Sequence, residues 1–220
     1  MRVIRIGTGC AIAALSIVSL VATARAVNLP REHDRGFFLR MSAGLGSAGT
    51  SEDIPVAYPQ DTAAGSIELE ASGLSGDVNF AIGALVAPNL ALHATLLGWS
   101  VSEPGLEIGG VEFDTDDVSL TLSGFGAGLT YYVHPANLYL SGSICAASLT
   151  LEYEDAGVTV SAESETGVAF DFTVGKEWWV GSKWGLGVAG AFGFHSIPDE
   201  DIDENLTGMN LAVRFSATYN

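Results

Sequence analysis

The 220-residue sequence has little cysteine, little positive charge and no apolar run long enough to span a membrane as a helix. It contains two cysteines, and nine Lys and Arg residues stand against 26 Asp and Glu residues. Its N-terminal apolar run covers only the 14 residues from Ala11 to Ala24, whereas a spanning helix needs about 20. The excess of acid excludes nucleic acid as a partner.

The first 26 residues have the pattern of a cleaved secretory signal peptide. Arg2 and Arg5 precede the apolar run, and Ala24-Arg25-Ala26 supplies small residues at the cleavage site. A membrane anchor is the alternative, but the apolar run is too short for one. A lipoprotein signal does not fit, because the run follows Cys10 instead of preceding it.

The expected mature chain has 194 residues and one cysteine, Cys145, so it cannot form an internal disulfide. It carries 6 basic and 26 acidic side chains, a formal charge of −20. We divide the precursor into a signal peptide (1–26), a short periplasmic segment (27–35) and one folded domain (36–220). At 48% hydrophobic residues, the chain is too apolar for an acidic disordered protein.

The acidic residues are concentrated in four long polar stretches. These stretches contain 21 of the 26 acids and no Lys or Arg, and they are residues 47–74, 101–117, 152–165 and 196–205. Short turns at 87–89, 134–137 and 180–183 lie between them. Long and short connections therefore alternate along the chain. The first two short turns each lead into an Asn-Leu-x-Leu sequence, at Asn89 and Asn137.

The segments between these connections alternate apolar and polar residues with a period of two, which is typical of β-strands. In the last segment Met209, Leu211 and Val213 alternate with Asn210 and Arg214. We predict eight strands, at 36–46, 75–86, 90–101, 118–133, 138–151, 166–179, 184–196 and 206–220. The alternation is irregular in 118–133 and 138–151, which predicts either a bulge or a lumen face that is partly apolar.

An antiparallel meander with short turns on one side and long loops on the other is the pattern of an eight-stranded up-and-down transmembrane β-barrel. A soluble barrel of the lipocalin kind is the alternative, and it would turn its apolar face inward. Aromatic residues near the short turns favour the membrane barrel, because such residues form girdles at membrane interfaces. The predicted periplasmic girdle consists of Tyr131, Tyr132, Tyr139, Trp178, Trp179, Trp184 and Tyr219.

The segments GFGAGLTYYVHPANLYLSGS and VGKEWWVGSKWGLGVAG resemble turn and girdle segments of small bacterial outer-membrane β-barrel proteins of the OmpA, OmpX and OmpW kind. The resemblance implies residence in the Gram-negative outer membrane, contact with its lipid and lipopolysaccharide, and assembly by the outer-membrane insertion machinery. Proteins of this kind favour an aromatic residue at the C-terminus. Here the aromatic residue, Tyr219, is the penultimate one.

The interior of an eight-stranded barrel is just wide enough for its own side chains. Arg40 and Arg214 are predicted to face the lumen from the first and last strands, with Asp171 and Glu177 on the sixth. We predict that these four residues form a charge cluster that plugs the lumen, because buried arginines need carboxylate partners. Inward glycines such as Gly44 leave room for water or relieve strand curvature.

Catalytic and metal chemistry have weak support in the sequence. The pair His195-Ser196 is suggestive, but adjacent residues in a strand point to opposite faces and do not bond as base and nucleophile. No His or Cys cluster predicts a transition-metal site, and His93 and His134 are interpreted as a lumen residue and a turn residue. The acidic run Asp199, Glu200, Asp201, Asp203 and Glu204 predicts at most weak Ca²⁺ or Mg²⁺ binding, because it lacks EF-hand spacing.

Three functions remain open. We expect a structural or surface-interaction barrel that acts through its acidic extracellular loops, without enzymatic activity or a cofactor. The alternative is a conduit for a small hydrophobic solute, as the OmpW resemblance implies, and a lipid-A-modifying enzyme is the third.

Overall fold

A computed structural model describes residues 33, 36–56, 65–113, 115–155, 158–199 and 204–220. The predicted signal peptide, and all of the predicted segment 27–35 except His33, lie outside these residues. The strands are β1 Gly36–Val56, β2 Gly65–Ala87, β3 Leu90–Ser102, β4 Gly105–Ile108, β5 Val111–Phe113, β6 Val118–Val133, β7 Leu138–Asp155, β8 Val158–Glu163, β9 Gly167–Trp179, β10 Trp184–Asp199 and β11 Glu204–Tyr219. Within these ranges, no helix has the length and apolar character needed to cross a membrane.

Eight of the strands close into a ring. Each pairs antiparallel with its neighbours in the order β1, β2, β3, β6, β7, β9, β10, β11, and β1 pairs with β11 to complete the circle. This confirms the predicted eight-stranded antiparallel up-and-down barrel. We call the end with the connections 88–89, 134–137 and 180–183 the short-turn end, and the opposite end the long-loop end.

The long-loop end contains more strand than the sequence predicts. The first strand was expected to stop at residue 46, but β1 continues to Val56 and pairs with β2 as far as Gly65. In this extension Glu68 and Glu70 are exposed, while Ile67 and Leu69 are half-buried. The acidic stretch is therefore an amphipathic hairpin in part, and its acids occupy the solvent-facing positions. Short strands β4, β5 and β8 likewise lie in stretches that were predicted to be loops.

Inward and outward faces alternate around the ring. On β9 Phe170 and Phe172 are exposed on the outside, and Asp171 and Thr173, which alternate with them, are buried in the lumen. Outward apolar side chains recur on every barrel strand, and Leu45, Phe125 and Phe215 are 62–68% exposed. Such an apolar outer face is the arrangement of a membrane barrel and the reverse of a soluble one.

Strands β6 and β7 pair without a register shift, so the predicted bulge is wrong there. The other expectation, a lumen face that is partly apolar, is confirmed. Leu120 and Leu122 face the lumen, and the same parity continues through Gly126 to Tyr132. The apparent irregularity in the sequence arises because the lumen face is apolar near the long-loop end.

The lumen has three layers. An apolar cluster at the long-loop end includes Trp99, Leu122 and Ile197. A second apolar cluster at the short-turn end includes Phe38 and Tyr139. Buried charged side chains such as Asp77, Asp171 and Arg214 lie between these clusters and, with their buried polar partners, make up the polar layer.

Candidate functional site

Arg214 on β11 is the centre of the polar layer. Its Nη1 donates to Asp171 Oδ1 at 3.0 Å and to Thr173 Oγ1 at 2.9 Å. Its Nη2 donates to Asp171 Oδ2 at 2.7 Å and to Asp77 Oδ2 at 3.0 Å. Nε donates to Asp77 Oδ1. All five guanidinium N–H groups therefore have acceptors, and two carboxylates hold one buried cation.

Two glycines let these side chains meet across intervening strands. Gly44 of β1 lies in register with Arg214 on one side and Asp77 on the other. Gly193 of β10 stands in the same way between Asp171 and Asn210. A Cβ atom would lie 2.1 Å from Val213 O at Gly44 and 2.0 Å from Asn210 Oδ1 at Gly193. Glycine at both positions thus makes room for the charge network.

Asp77 is the site residue that the sequence analysis missed. It is 2% exposed on β2, and Asn210 Nδ2 also donates to its Oδ2 at 3.1 Å. A signal was present in the sequence, because Asp77 and Asn79 alternate with Val78 and Phe80 and so share the polar face of their strand.

Arg40 and Glu177, predicted as members of the same cluster, are buried in the lumen but do not pair with Arg214 or its two carboxylates. Arg40 Nη2 donates to Ser141 Oγ at 2.8 Å, and its guanidinium carbon lies 4.7 Å from the centroid of the Tyr139 ring. Glu177 Oε1 accepts hydrogen bonds from Thr218 at 2.6 Å and from Tyr132 at 3.4 Å. Of the four predicted residues, only Asp171 and Arg214 form an ion pair.

A chain of hydrogen bonds continues from Arg40 around the barrel wall. Ser141 Oγ lies 2.9 Å from Thr130 Oγ1, which lies 3.0 Å from His93 Nε2. His93 Nδ1 lies 2.9 Å from Thr95 Oγ1. His93 is therefore a lumen residue with hydroxyl partners on both ring nitrogens, as its interpretation from the sequence implies.

One small cavity of about 10 Å³ lies between the Arg214 network and the apolar cluster of the long-loop end. Its lining includes Asp77, Trp99, His195 and Arg214. This volume is roughly that of one water molecule, so the cavity has no room for a larger solute. His195 Nε2 lies 3.3 Å from Thr50 Oγ1 inside the barrel, whereas the neighbouring Ser196 points away from the lumen.

Four of the seven predicted girdle residues lie on the outside near the short turns. Tyr131 and Trp184 are 50% and 40% exposed, and Tyr219 contacts Trp184 with ring centroids 5.2 Å apart. Trp178 lies beside Lys176, whose Nζ is 5.6 Å from the ring centroid.

Three residues do not fit the predicted girdle. Its assignment is wrong for Tyr132 and Tyr139, which are at most 1% exposed and face the lumen. The physical reason is strand alternation, since Tyr131 outside forces Tyr132 inside. Trp179 contacts the ring of His33, at 4.9 Å between centroids.

Only Asp199 and Glu204 of the predicted cation-binding run are described, and they are register partners on β10 and β11. Glu200, Asp201 and Asp203 lie outside the described residues. Burial, together with the nearby carboxylates of Asp199 and Glu204, raises the pKa of Glu52. In the part of the chain that the structure describes, no three His, Cys, Asp or Glu residues converge as metal ligands. Weak Ca²⁺ or Mg²⁺ binding stays a prediction.

Comparison with known proteins gives likeness in structure only. No protein-family model matches the chain, and no curated protein matches its sequence. Neisserial surface protein A aligns at 10% identity and a TM-score of 0.47, over 84% of this chain and 98% of that protein. OprG from Pseudomonas aeruginosa aligns at 11% identity and 0.45, over 84% and 97%. The Yersinia pestis attachment invasion locus protein Ail aligns at 11% identity and 0.40, over 80% and 97%.

At these identities the likeness concerns the fold alone, and the barrel's own geometry carries the assignment. The ring is closed by β1 with β11, the outer face is apolar, and Arg40, Asp77, Asp171 and Arg214 are enclosed in the lumen. Backbone closure without free edges and an apolar exterior are the two requirements for a β-structure that spans a bilayer. The chain has the architecture of an eight-stranded outer-membrane β-barrel protein.

Proposed function

We propose that the protein is a non-enzymatic barrel of the Gram-negative outer membrane that acts through the acidic surface at its long-loop end, while its lumen is plugged. The observation that carries this proposal is the filling of the lumen by side chains in all three layers. Because side chains fill these layers and the cavity beside Arg214 holds no more than about one water molecule, the exposed surface outside the membrane is the part available for recognition.

The layers of the lumen differ in chemistry, and each contributes to closure. Trp99, Leu122 and Leu149 pack into the apolar cluster at the long-loop end. Below them, two carboxylates and a guanidinium group are joined by hydrogen bonds. A network whose donors are all satisfied is rigid, since moving any member leaves a buried charge unpaired.

The long-loop end presents acids on strands that project beyond the barrel ring. Glu152 and Glu154 on β7 and Glu163 on β8 are exposed, as are Glu68 and Glu70 on β2. The four acidic stretches contain no Lys or Arg to neutralise them. The chemistry of this surface favours cationic partners, including divalent cations that bridge it to lipopolysaccharide phosphates.

A conduit for a small hydrophobic solute is the second candidate, and the apolar cluster at the long-loop end of the lumen favours it. Such a conduit requires Trp99 and Leu122 to move apart, because both are at most 3% exposed. The third candidate, a lipid-modifying enzyme, has less support. Its most suggestive pair, His195 and Ser196, lies on opposite faces of β10, and the imidazole is sealed in the lumen.

The surface role is tested by binding of a fluorescent lysine-rich peptide to the refolded barrel in lipid nanodiscs. The double variant Glu152→Gln, Glu154→Gln removes two exposed charges from β7. The matched control, Ser161→Ala with Thr159→Ala, changes their register partners on β8 and leaves the charge intact. We expect about fivefold weaker binding for the charge variant at low salt and no change for the control, since exposed charge pairs contribute about 0.5 kcal/mol each. Equal binding by all three proteins contradicts the proposal.

A further inference from the structure

His33 precedes the barrel, yet it is 2% exposed. Its backbone forms a two-point pair with Asn89 in the first short turn. His33 N donates to Asn89 Oδ1 at 3.0 Å, and Asn89 N donates to His33 O at 2.9 Å. His33 is therefore tied to the turn between β2 and β3.

The imidazole ring is held by three further parts of the barrel. Its Nε2 lies 2.7 Å from Asn137 Oδ1 in the second short turn, and its Nδ1 bonds to the side-chain amide of Asn220 at the C-terminus. The ring stacks on Tyr132 with centroids 3.6 Å apart and planes 17° apart. Since Tyr132 belongs to the apolar cluster at the short-turn end, His33 covers the lumen there.

The two turn asparagines explain the repeated Asn-Leu-x-Leu sequence. Asn89 and Asn137 have φ angles of 62° and 50°, a conformation that glycine adopts more readily. A glycine has no carboxamide, and the side-chain oxygens of both asparagines contact His33. Each asparagine thus forms its turn and binds His33.

A neutral imidazole satisfies these partners. With the proton on Nε2, the ring donates to Asn137 Oδ1, and the unprotonated Nδ1 accepts from the Asn220 amide. Burial lowers the pKa of His33, with a smaller contribution from the nearby His134, so the neutral form is the favoured one.

We infer that the short-turn mouth of the barrel is a binding site for the chain's own His33, with Asn89, Asn137 and Asn220 as the receiving side chains. The bound imidazole ring covers the lumen at that end. This inference goes beyond the proposed function and does not depend on it, because a solute conduit would have to release the same anchor before it could open.

Amide hydrogen exchange of the full refolded chain in micelles tests the inference at residue 89, whose N–H has His33 O as its acceptor. We expect His33→Ala to accelerate this exchange on the order of tenfold, as the three ring anchors are lost. Asn137→Gly retains the positive φ angle, removes one anchor and should accelerate exchange in the same direction. His134→Ala is the matched control, because His134 is exposed in the neighbouring turn, and it should leave the rate unchanged.

A measurement without substitutions guards against variants that fail to fold. In the unmodified protein, nuclear Overhauser contacts between the His33 and Tyr132 rings are expected from their 3.6 Å stacking. Absence of those contacts overturns the inference. Equal exchange at residue 89 in folded His33→Ala and His134→Ala proteins also overturns it.

Discussion

At the scale of residues, the stability of the barrel depends on one buried cation shared by two carboxylates. Arg214 is 2% exposed and Asp77 and Asp171 are at most 4% exposed, so none of the three charges is solvated. Removing Arg214 leaves two uncompensated carboxylates in a low-dielectric interior, at a typical cost of about 3–5 kcal/mol, whereas removing one carboxylate leaves Arg214 paired with the other. Removing the cation and one carboxylate together costs less than the sum of the two single changes, because one lone carboxylate remains instead of two.

A double-mutant cycle measures this coupling. Arg214→Leu should lower the free energy of unfolding by about 3–5 kcal/mol, and Asp77→Asn, which leaves the pair with Asp171, by about 1–3 kcal/mol. The double variant should recover about 1–3 kcal/mol of the sum. A cycle with Asp171→Asn should behave alike. Urea unfolding of the barrel in lipid vesicles gives these values. The exposed Asp53→Asn serves as a control expected to change stability by less than about 0.5 kcal/mol, and strict additivity in both cycles contradicts the network.

Gly44 offers a second residue-level prediction. A Cβ atom there would lie 2.1 Å from the carbonyl oxygen of Val213, so Gly44→Ala must displace β11 and the Arg214 side chain. We expect a loss of about 1–3 kcal/mol in the free energy of unfolding, the usual range for overpacking. Gly76→Ala is the matched control, because no atom lies within 4 Å of a Cβ at that position. Equal stability of the two variants would show that Gly44 is not needed for the close approach of the strands.

Part of the site was predictable from the sequence, and the rest depends on pairing between distant strands. The alternation of inward and outward residues placed Asp171 and Arg214 in the lumen, and in the structure they form an ion pair. Parity alone does not say which lumen residues lie at the same height, so Arg40 and Glu177 were assigned to a cluster that they do not join. The girdle assignment of Tyr132 and Tyr139 ignored parity and relied on proximity to a turn, and it was wrong for that reason.

At the scale of elements, the barrel strands were predictable because their two faces meet different solvents. Apolar outward residues and lumen-facing residues alternate with a period of two, which predicts the strand at 166–179 to within one residue of β9. The extensions of β1 and β2 were not predicted, because outside the membrane both faces of a hairpin meet water. In the extension of β2, the half-buried Ile67 and Leu69 alternate with the exposed Glu68 and Glu70. Acidic residues dominate the composition there, and this masks the strand pattern.

The N-terminal anchor is an element whose docking depends on pH. Burial lowers the pKa of His33 below its ordinary value of 6.5, so His33 binds fewer protons when docked than when released. Docking is therefore strongest above about pH 6.5 and weakens as the pH falls below it. Exchange at residue 89, corrected for the intrinsic pH dependence, should accelerate between pH 7.5 and pH 5. His33→Phe retains an aromatic ring without a titrating group and should lose this dependence on pH. An identical pH profile for the two proteins contradicts the pH-dependent docking of His33.

At the scale of the whole molecule, charge is sorted along the barrel axis. Arg40 and Arg214 are enclosed in the lumen, and Lys176 and Lys183 lie at the short-turn end. The four acidic stretches at the long-loop end contain Asp and Glu but no Lys or Arg. The two ends of the molecule therefore offer different chemistry to their compartments. Lys183 lies 5.5 Å from the ring centroid of Tyr219, the mixture of cation and aromatic residue that suits a membrane interface.

The proposed function requires a lumen that is filled by side chains. Planar-bilayer recording of the refolded full-length barrel tests whether the lumen is closed. Only material whose electrophoretic mobility changes on boiling, the mark of a closed barrel, should be used. We predict no resolved channel openings, because the apolar cluster, the Arg214 network and the His33 anchor each close the lumen. Reproducible unitary conductance steps would contradict the account and favour the solute conduit.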